Sequence, residues 1–585
     1  MCGIACLVGN KEATKHCFDA LEKLEYRGYD SAGIACLIND SIIIHKKQGR
    51  VDNLKEFAQN TKSNVVISHT RWATHGEPNE VNAHPHMSQN GNFALVHNGI
   101  IENFKEIKQE LLDKGINIVS QTDSEVALEL IANACGSILE RLKFATKRLK
   151  GSYAFGVLDK KSKSIVGVRK SSPLYVAKTK HGIMLASDII CFKGIAKSYY
   201  LIEEGQFIQI KNKRVIIYDN ELKVITPKFT KIEELEFDFC KQGFEYHMEK
   251  EINEVPYVIE KVVNEYSDRH LLSQIKNLFE NVQNIVLIGC GTAYHACCFG
   301  AKVLSNTLGI NTNAYIASEY KYSNPIITRN TLGIFVSQSG ETADTLGCVK
   351  LFKEKGAKTL SVTNVIHSAL VKMCDISLPV FAGAEIGVAS TKAYVAQVLV
   401  LHILARYLKD SNFKFEEELE LSKKAKEMIY IQDEIVALVK SKSKVFYIGR
   451  GFDSITAQEG ALKIKEIAYI SAEGYPAGEL KHGTIALIEK DTPVIVFATS
   501  KRLLEKTMSA CEEVRSRGAK IILVCPKSYF VAGYDFKIEI PDFESEELQS
   551  ILSIIPLQML AYRVSKELGY NPDKPRNLAK SVTVE

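Results

Sequence analysis

No two of the 14 cysteines stand at Cys-x-x-Cys spacing, which removes the usual zinc and dithiol patterns. Most lie in apolar stretches, Cys36, Cys191, Cys374 and Cys525 among them, where a reduced thiol packs as a small hydrophobe. No apolar run is long enough to span a bilayer, so no membrane partner is expected. Nor is there a polybasic run or a basic face with interleaved aromatics. With 74 basic residues against 69 acidic ones, a net charge of +5, nucleic acid is not an expected partner. The opening Met1-Cys2-Gly3-Ile4-Ala5-Cys6-Leu7-Val8-Gly9 lacks the basic start of a secretory leader and turns polar at Asn10-Lys11-Glu12, so a cytoplasmic location is expected. His84 and His86 have no third ligand beside them, and no metal is expected.

What is present is a chain of 585 residues, 46% hydrophobic and 24% charged, too long for one core. Up to about residue 235, short β-type runs (34–38, 65–68, 93–96, 153–158) alternate with turn residues and two helical stretches, 13–25 and 124–134, which predicts an α+β layered domain. The polar, helix-prone stretch 237–254 reads as a hinge. Beyond it, strand, glycine-rich turn and helix alternate, and the pattern repeats. Asn284-Ile-Val-Leu-Ile-Gly289-Cys290-Gly291-Thr292 has its counterpart in Lys444-Val-Phe-Tyr-Ile-Gly449-Arg450-Gly451-Phe452. The runs 332–337 and 358–362 recur as 493–500 and 520–524, which predicts two doubly wound α/β domains in tandem.

One cysteine differs from the rest by position. Once Met1 is removed, Cys2 carries a thiol and a free amine, and that amine serves as general base for its own side chain. A thiolate attacking a carboxamide needs an oxyanion hole and a clamp for the substrate's amino-acid end. Asn98-Gly99 offers an amide and a permissive backbone N–H, Arg71 a bidentate partner for a carboxylate, and Asp123 a partner for an ammonium. Each has a plainer reading. Thr122 with Glu125 makes a capping box that would account for Asp123, and Asn-Gly is a common hairpin dipeptide.

In the second half, Ser337-Gln338-Ser339-Gly340-Glu341-Thr342 follows a strand and precedes a helix, so hydroxyls and backbone N–H groups gather where an anion binds without a lysine. Gly289-Cys290-Gly291-Thr292 ends the first strand at the same crevice. Glu459, Lys463 and Glu466 share one helix face, the first two also readable as a surface ion pair. Glu466 and His482 supply a carboxylate and an imidazole for moving protons beside a carbonyl. Lys580, in a C-terminus anchored by Pro572, Pro575, Leu578, Val582 and Val584, is an amine suited to an imine with an open-chain ketose.

Cys2-Gly3-Ile4, Tyr26-Arg27-Gly28-Tyr29-Asp30-Ser31, His69-Thr70-Arg71-Trp72-Ala73-Thr74-His75-Gly76, His97-Asn98-Gly99 and Thr122-Asp123-Ser124 resemble the class II glutamine amidotransferases. The resemblance implies their N-terminal nucleophile (Ntn) αββα sandwich. Ser337–Thr342, Glu385-Ile-Gly-Val388-Ala-Ser390-Thr-Lys-Ala393, Glu459–Glu466, Leu480-Lys-His-Gly483 and Leu578–Glu585 resemble the tandem sugar isomerase (SIS) domains of the glutamine–fructose-6-phosphate aminotransferase family. Together the matches span the chain and imply a glutaminase domain over 2–235, a linker over 236–254, SIS domains over 275–415 and 435–575, and a closing tail over 576–585. By that resemblance Cys2 is the nucleophile and Asn98 and Gly99 the oxyanion hole. Arg71, Trp72, Thr74, His75 and Asp123 bind L-glutamine, with Trp72, the one tryptophan, at the mouth of an ammonia passage. Thr292, Ser337, Gln338, Ser339, Thr342, Val388 and Ser390 bind the sugar phosphate. His482 opens the ring of D-fructose 6-phosphate, Glu466 shuttles the C1–C2 proton supported by Lys463, and Lys580 engages the ketone. The family uses no cofactor, and a homodimer is expected. Ala293 and Thr484 stand where the family often has Ser and Pro; the first is expected to weaken phosphate affinity. Two alternatives stay open: a phosphosugar-sensing regulator on the same folds, and an amidotransferase serving another phosphosugar.

Overall fold

A computed structural model describes residues 2–232 and 240–582. The chain divides at 235/236 and at 580/581 into two compact units.

In the first unit, strand β1 (Gly3–Gly9) faces two cores at once. Ala5 and Leu7 pack with Phe18 and Leu21 of helix α1 (Ala13–Leu24), while Ile4, Cys6 and Val8 meet Val96, Ala154 and Ile208. A strand covered on both sides has no polar face to show, hence the unbroken apolar run. Among the described residues β1 lies inside an eight-stranded sheet, antiparallel to β2 (Val65–Arg71). A seven-stranded sheet, with β3 (Phe93–Ile101) antiparallel to β4 (Gly151–Asp159), stacks on it. Helix α2 (Asp123–Ala132) covers the far side of that sheet through Val126, Leu130 and Ile131. The order is helix, sheet, sheet, helix, the αββα sandwich implied by the resemblance.

Among its described residues the second unit holds two five-stranded parallel sheets. The first places β5 (Asn284–Gly289) beside β6 (Thr331–Ser337); the second places β7 (Lys444–Gly449) beside β8 (Pro493–Phe497). Both sheets have the chain order 2-1-3-4-5, so in each the crevice for a ligand opens at the carboxyl ends of the first and third strands. Helices α3 (Thr292–Leu308), α4 (Lys392–Lys409), α5 (Phe452–Ala468) and α6 (Ile555–Glu567) flank the sheets. All four contribute to one core that runs through both repeats. No helix among the described residues is long and apolar enough to cross a membrane. Of the expected linker, 236–239 lie outside the described residues, while His247–Asn253 is a helix whose Met248 and Ile252 join that core.

Candidate active site

Cys2 leads into β1, and its half-buried thiol sits against the turn after β2. The Trp72 N–H lies 3.4 Å from Sγ and the Trp72 carbonyl 3.5 Å from it. Burial pushes the Cys2 thiol up, opposed by the hydrogen bond to the Trp72 backbone and the Arg71 guanidinium. Asn98 and Gly99 lie inside β3, opposite Ala154 and Tyr153 on β4, and form no hairpin turn. Gly99 has φ of +136°, and a Cβ there would stand 2.1 Å from the Ser152 carbonyl oxygen, so only glycine fits.

Which end of the Asn98 amide faces Cys2 is decided by a residue whose role was not legible in the sequence. His69 on β2 sets Nε2 2.9 Å from the His97 carbonyl oxygen and 3.1 Å from Asn98 Oδ1. A carbonyl only accepts, so Nε2 carries the proton and the neighbouring Asn98 atom is the oxygen. The amide nitrogen is left to donate to the Cys2 carbonyl at 2.9 Å. Burial drives His69 down to about 3, so the ring is neutral and holds this tautomer at working pH. A histidine on an apolar strand reads as core until its partners are seen. His69→Ala is expected to lower glutaminase kcat by roughly 10²-fold, the scale of losing one oxyanion donor, with fructose 6-phosphate isomerisation unchanged. Equal loss of both activities would contradict this role.

Arg71 is buried and donates to the carbonyls of His75, Gly76 (3.2 Å) and Glu77 (3.3 Å), so in this structure its guanidinium closes the 75–77 turn. Thr74 on that turn is exposed, and the half-buried His75 meets Phe104 edge-on. Asp123 is buried at the first turn of α2 and accepts the Ile101 N–H at 2.7 Å. Only half of the expected capping box forms. Thr122 accepts from the Glu125 N–H at 3.3 Å, but the Glu125 carboxylate reaches past the cap to the amides of Val119 and Ser120. Among the described residues no three His, Cys, Asp or Glu side chains converge as a metal site; His86 instead pairs with Thr122 at 3.0 Å.

The hydrogen bonds between Trp72 and the Cys2 thiol run through the Trp72 backbone. Trp72→Ala should therefore keep those contacts while removing the indole, and glutamate is expected to form in excess over amino sugar. An unchanged product ratio would sink the gating role of the ring.

In the second unit, β6 runs into the 337–342 loop. Ser337 Oγ accepts the Gly340 N–H at 3.0 Å and lies 3.1 Å from Thr342 Oγ1, while Ser339 Oγ accepts the Glu341 N–H at 3.2 Å. Gly340, at φ +66°, has Ser368 Oγ 2.1 Å from where a Cβ would be, which fixes the loop's tightness. Gln338 is half-buried beside Ser339. Thr292 opens α3 but points elsewhere: it donates to Glu459 at 3.1 Å and accepts from Lys463 Nζ at 2.8 Å.

The Glu459–Lys463 pair is not the surface pair that its spacing also allowed. Both side chains are fully buried, because α5 packs against α3 there. Lys463 Nζ lies 3.3 Å from Glu459 and 2.7 Å from Glu466, and His295 meets the other Glu459 oxygen at 2.7 Å. Burial alone would lower Lys463, but Glu459 and Glu466 outweigh it and hold it up; burial raises Glu466 against the pull of Lys463. A carboxyl raised by burial and touching a buried ammonium is suited to exchanging a proton. His482 sits exposed on a short helical turn, Leu480–His482, and no hydrogen bond joins it to Glu466 among the described residues. Thr484 begins the next such turn.

Lys580 is nearly buried, paired with Glu385 and donating to the Gly387 carbonyl at 2.8 Å. Glu385 also accepts from Ser390 Oγ and from the amides of Thr391 and Ala393 at the start of α4. Burial works to raise Glu385, but Lys580 and those amides keep it below the usual carboxylate range. Val388 is buried, and its N–H reaches the Asp573 carbonyl at 3.1 Å. Val582, expected as an anchor, is 40% exposed, and Val584 lies outside the described residues.

The sequence pattern of the glutamine amidotransferase domain matches residues 69–194, and that of the SIS domain matches 278–407 and 437–566. Over 100% of both chains, the sequence is 42% identical to a glutamine–fructose-6-phosphate aminotransferase [isomerizing] of Fusobacterium nucleatum. The chain belongs to that family. It is 39% identical to the enzyme of the same name from Bacillus subtilis, again over 100% of both. Among solved structures, the C-terminal domain of glucosamine-fructose-6-phosphate aminotransferase from Francisella tularensis superposes with a TM-score of 0.53 at 32% identity, covering 57% of this chain and 100% of that one.

The two SIS repeats differ in the loop after the third strand, and the strand register aligns them. Ile288 on β5 stands opposite Phe335, and its counterpart Ile448 on β7 opposite Val496. Ser337, Ser339 and Thr342 therefore correspond to Ala498, Ser500 and Leu503. Two of the three hydroxyls are lost in the second repeat, and the survivor, Ser500, is bonded to Glu546 at 2.5 Å. The first repeat carries three hydroxyls in this loop, and Lys463 and Glu466 lie in the second repeat.

Proposed function

We propose that the protein converts L-glutamine and D-fructose 6-phosphate into L-glutamate and D-glucosamine 6-phosphate. The reading is carried by one observation: a Cys2 thiol beside an oriented Asn98 amide shares a chain with tandem phosphosugar folds whose first repeat keeps a hydroxyl-lined anion loop. The Cys2 thiolate attacks the glutamine carboxamide, with Asn98 and Gly99 receiving the oxyanion. Ammonia leaves, and water releases glutamate from the thioester. Arg71, Trp72, Thr74, His75 and Asp123 hold the amino acid. The α-amino group acting as base is that of Cys2 after removal of Met1, which lies outside the described residues.

At the sugar, Ser337, Gln338, Ser339 and Thr342 take the phosphate, with Val388 and Ser390 completing the pocket; Thr292, expected there, is engaged by Glu459 and Lys463 instead. His482 opens the ring, Lys580 forms an imine at C2, ammonia displaces the lysine, and Glu466, held by Lys463, moves the proton between C1 and C2. No cofactor enters these steps. In this reading the protein works in the cytoplasm as a homodimer. Incubation with both substrates should yield glutamate and glucosamine 6-phosphate in equal amounts. Glutamate without amino sugar would favour a sensor or another acceptor.

A further inference from the structure

Glu251 is a buried carboxylate that none of these steps uses. It lies on the helix His247–Asn253, is 2% exposed, and places Oε1 against the amides of Ile386 and Gly387, the latter at 3.2 Å. Those amides belong to the turn that seats Lys580. Glu385, which precedes them, pairs with Nζ, and the Gly387 carbonyl accepts from it at 2.8 Å. The same helix is tied to the approach of the C-terminal segment, because Asp573 accepts the His247 and Met248 amides at 2.8 Å each while its carbonyl holds Val388 N–H. Three segments distant in sequence, 247–253, 385–388 and 573–580, thus meet around one ammonium.

We infer that Glu251 is a positioning residue for Lys580: by accepting two consecutive amides it fixes the 385–387 turn, so that one carboxylate and one carbonyl hold Nζ where the ketone is to be met. Two amides converging on one oxygen leave the turn little freedom. Without that acceptor both N–H groups would be buried and unpaired, and the turn would move to satisfy them. Glu251 Oε2 has no hydrogen-bond partner among the described residues, so the side chain serves the turn through one oxygen alone. Burial, with Glu385 close by, pushes the Glu251 carboxyl up to about 8, opposed by Lys580 and Lys392. Glutamine keeps the same acceptor oxygen without a charge.

This rests on Lys580 forming the imine, and the experiment separates the two. Full-length protein is incubated with fructose 6-phosphate and cyanoborohydride, and reduced adduct at residue 580 is read by mass spectrometry, beside fructose 6-phosphate affinity and melting temperature. Lys580→Ala must show no adduct; an undiminished adduct would mean that the reading of Lys580 itself has failed. With that control passed, Glu251→Ala is expected to slow adduct formation by roughly 10²-fold, the scale of an ångström-level misplacement, while affinity shifts less than about threefold because the Ser337–Thr342 loop is untouched. Glu251→Gln, which keeps an acceptor oxygen, should recover most of the rate. Native adduct formation in Glu251→Ala overturns the inference. So does a folded Glu251→Gln as slow as Glu251→Ala, since the acceptor would then not be what matters. If Glu251→Ala fails to fold, the Gln variant decides alone.

Discussion

Cys2→Ala is expected to abolish glutamine hydrolysis, by on the order of 10⁴- to 10⁶-fold, the scale of removing a covalent nucleophile, while fructose 6-phosphate is still bound and isomerised to glucose 6-phosphate. The separation follows from the architecture. Cys2 enters a strand whose two faces belong to the cores of the first unit, whereas Ser337, Lys463 and Lys580 belong to the second unit, with a core of its own. Asn98 Nδ2 donates to the Cys2 carbonyl, a contact the substitution keeps, while the Trp72 N–H loses only its Sγ acceptor. Retaining Met1 should have the same effect by turning the base into an amide. Glutamate release at the native rate by Cys2→Ala would show that the nucleophile lies elsewhere.

The second large effect is expected at the other end. Lys580→Ala should abolish amino-sugar synthesis, by roughly 10³-fold or more, because it removes the amine that Glu385 and Gly387 hold. The variant also strands a carboxylate. Glu385 is fully buried and Lys580 nearly so, and removing one partner of a buried pair costs about 3–5 kcal/mol. Loss of activity and loss of stability would then be confounded. The double variant Lys580→Met, Glu385→Gln separates them: it should recover much of the melting temperature, since neutral groups need no counter-charge, and none of the synthesis. Deleting residues 578–585 should abolish synthesis as well. A double variant that melts like the native protein and still makes amino sugar would remove Lys580 from the mechanism.

Much of this was legible in the chain, and the reasons for the rest are physical. Cys2 stood out by position, and strands such as Phe93–Ile101 and helices such as Ala13–Leu24 and Asp123–Ala132 follow from runs of strand- and helix-forming residues, Thr122 capping the last, with ends shifted by a few residues. The repeat was visible because each copy of the strand–turn–helix unit must satisfy the same packing, and both sheets have the same strand order. What failed were readings in which a local rule met a tertiary one. Asn98-Gly99 is good hairpin chemistry, yet it lies mid-strand because β4 pairs straight across it. Glu459 and Lys463 have the spacing of a surface pair, and only the packing of α5 on α3 buries them. Glu125 could close a capping box, but two nearer amides hold its carboxylate. His69 and Glu251 act through atoms that no spacing reveals: one sets which way an amide faces, the other fixes a turn more than a hundred residues away.

The claim that nitrogen passes from the glutamine carboxamide to the sugar within this one protein is tested most directly by isotope. The purified full-length chain is given glutamine labelled with ¹⁵N in the side-chain amide, fructose 6-phosphate, and an excess of unlabelled ammonium. Mass spectrometry of the amino sugar should find the label in nearly every glucosamine 6-phosphate molecule, matched one for one by glutamate. Glutamate formed with an amino sugar that carries the unlabelled nitrogen, or with no amino sugar at all, would contradict it.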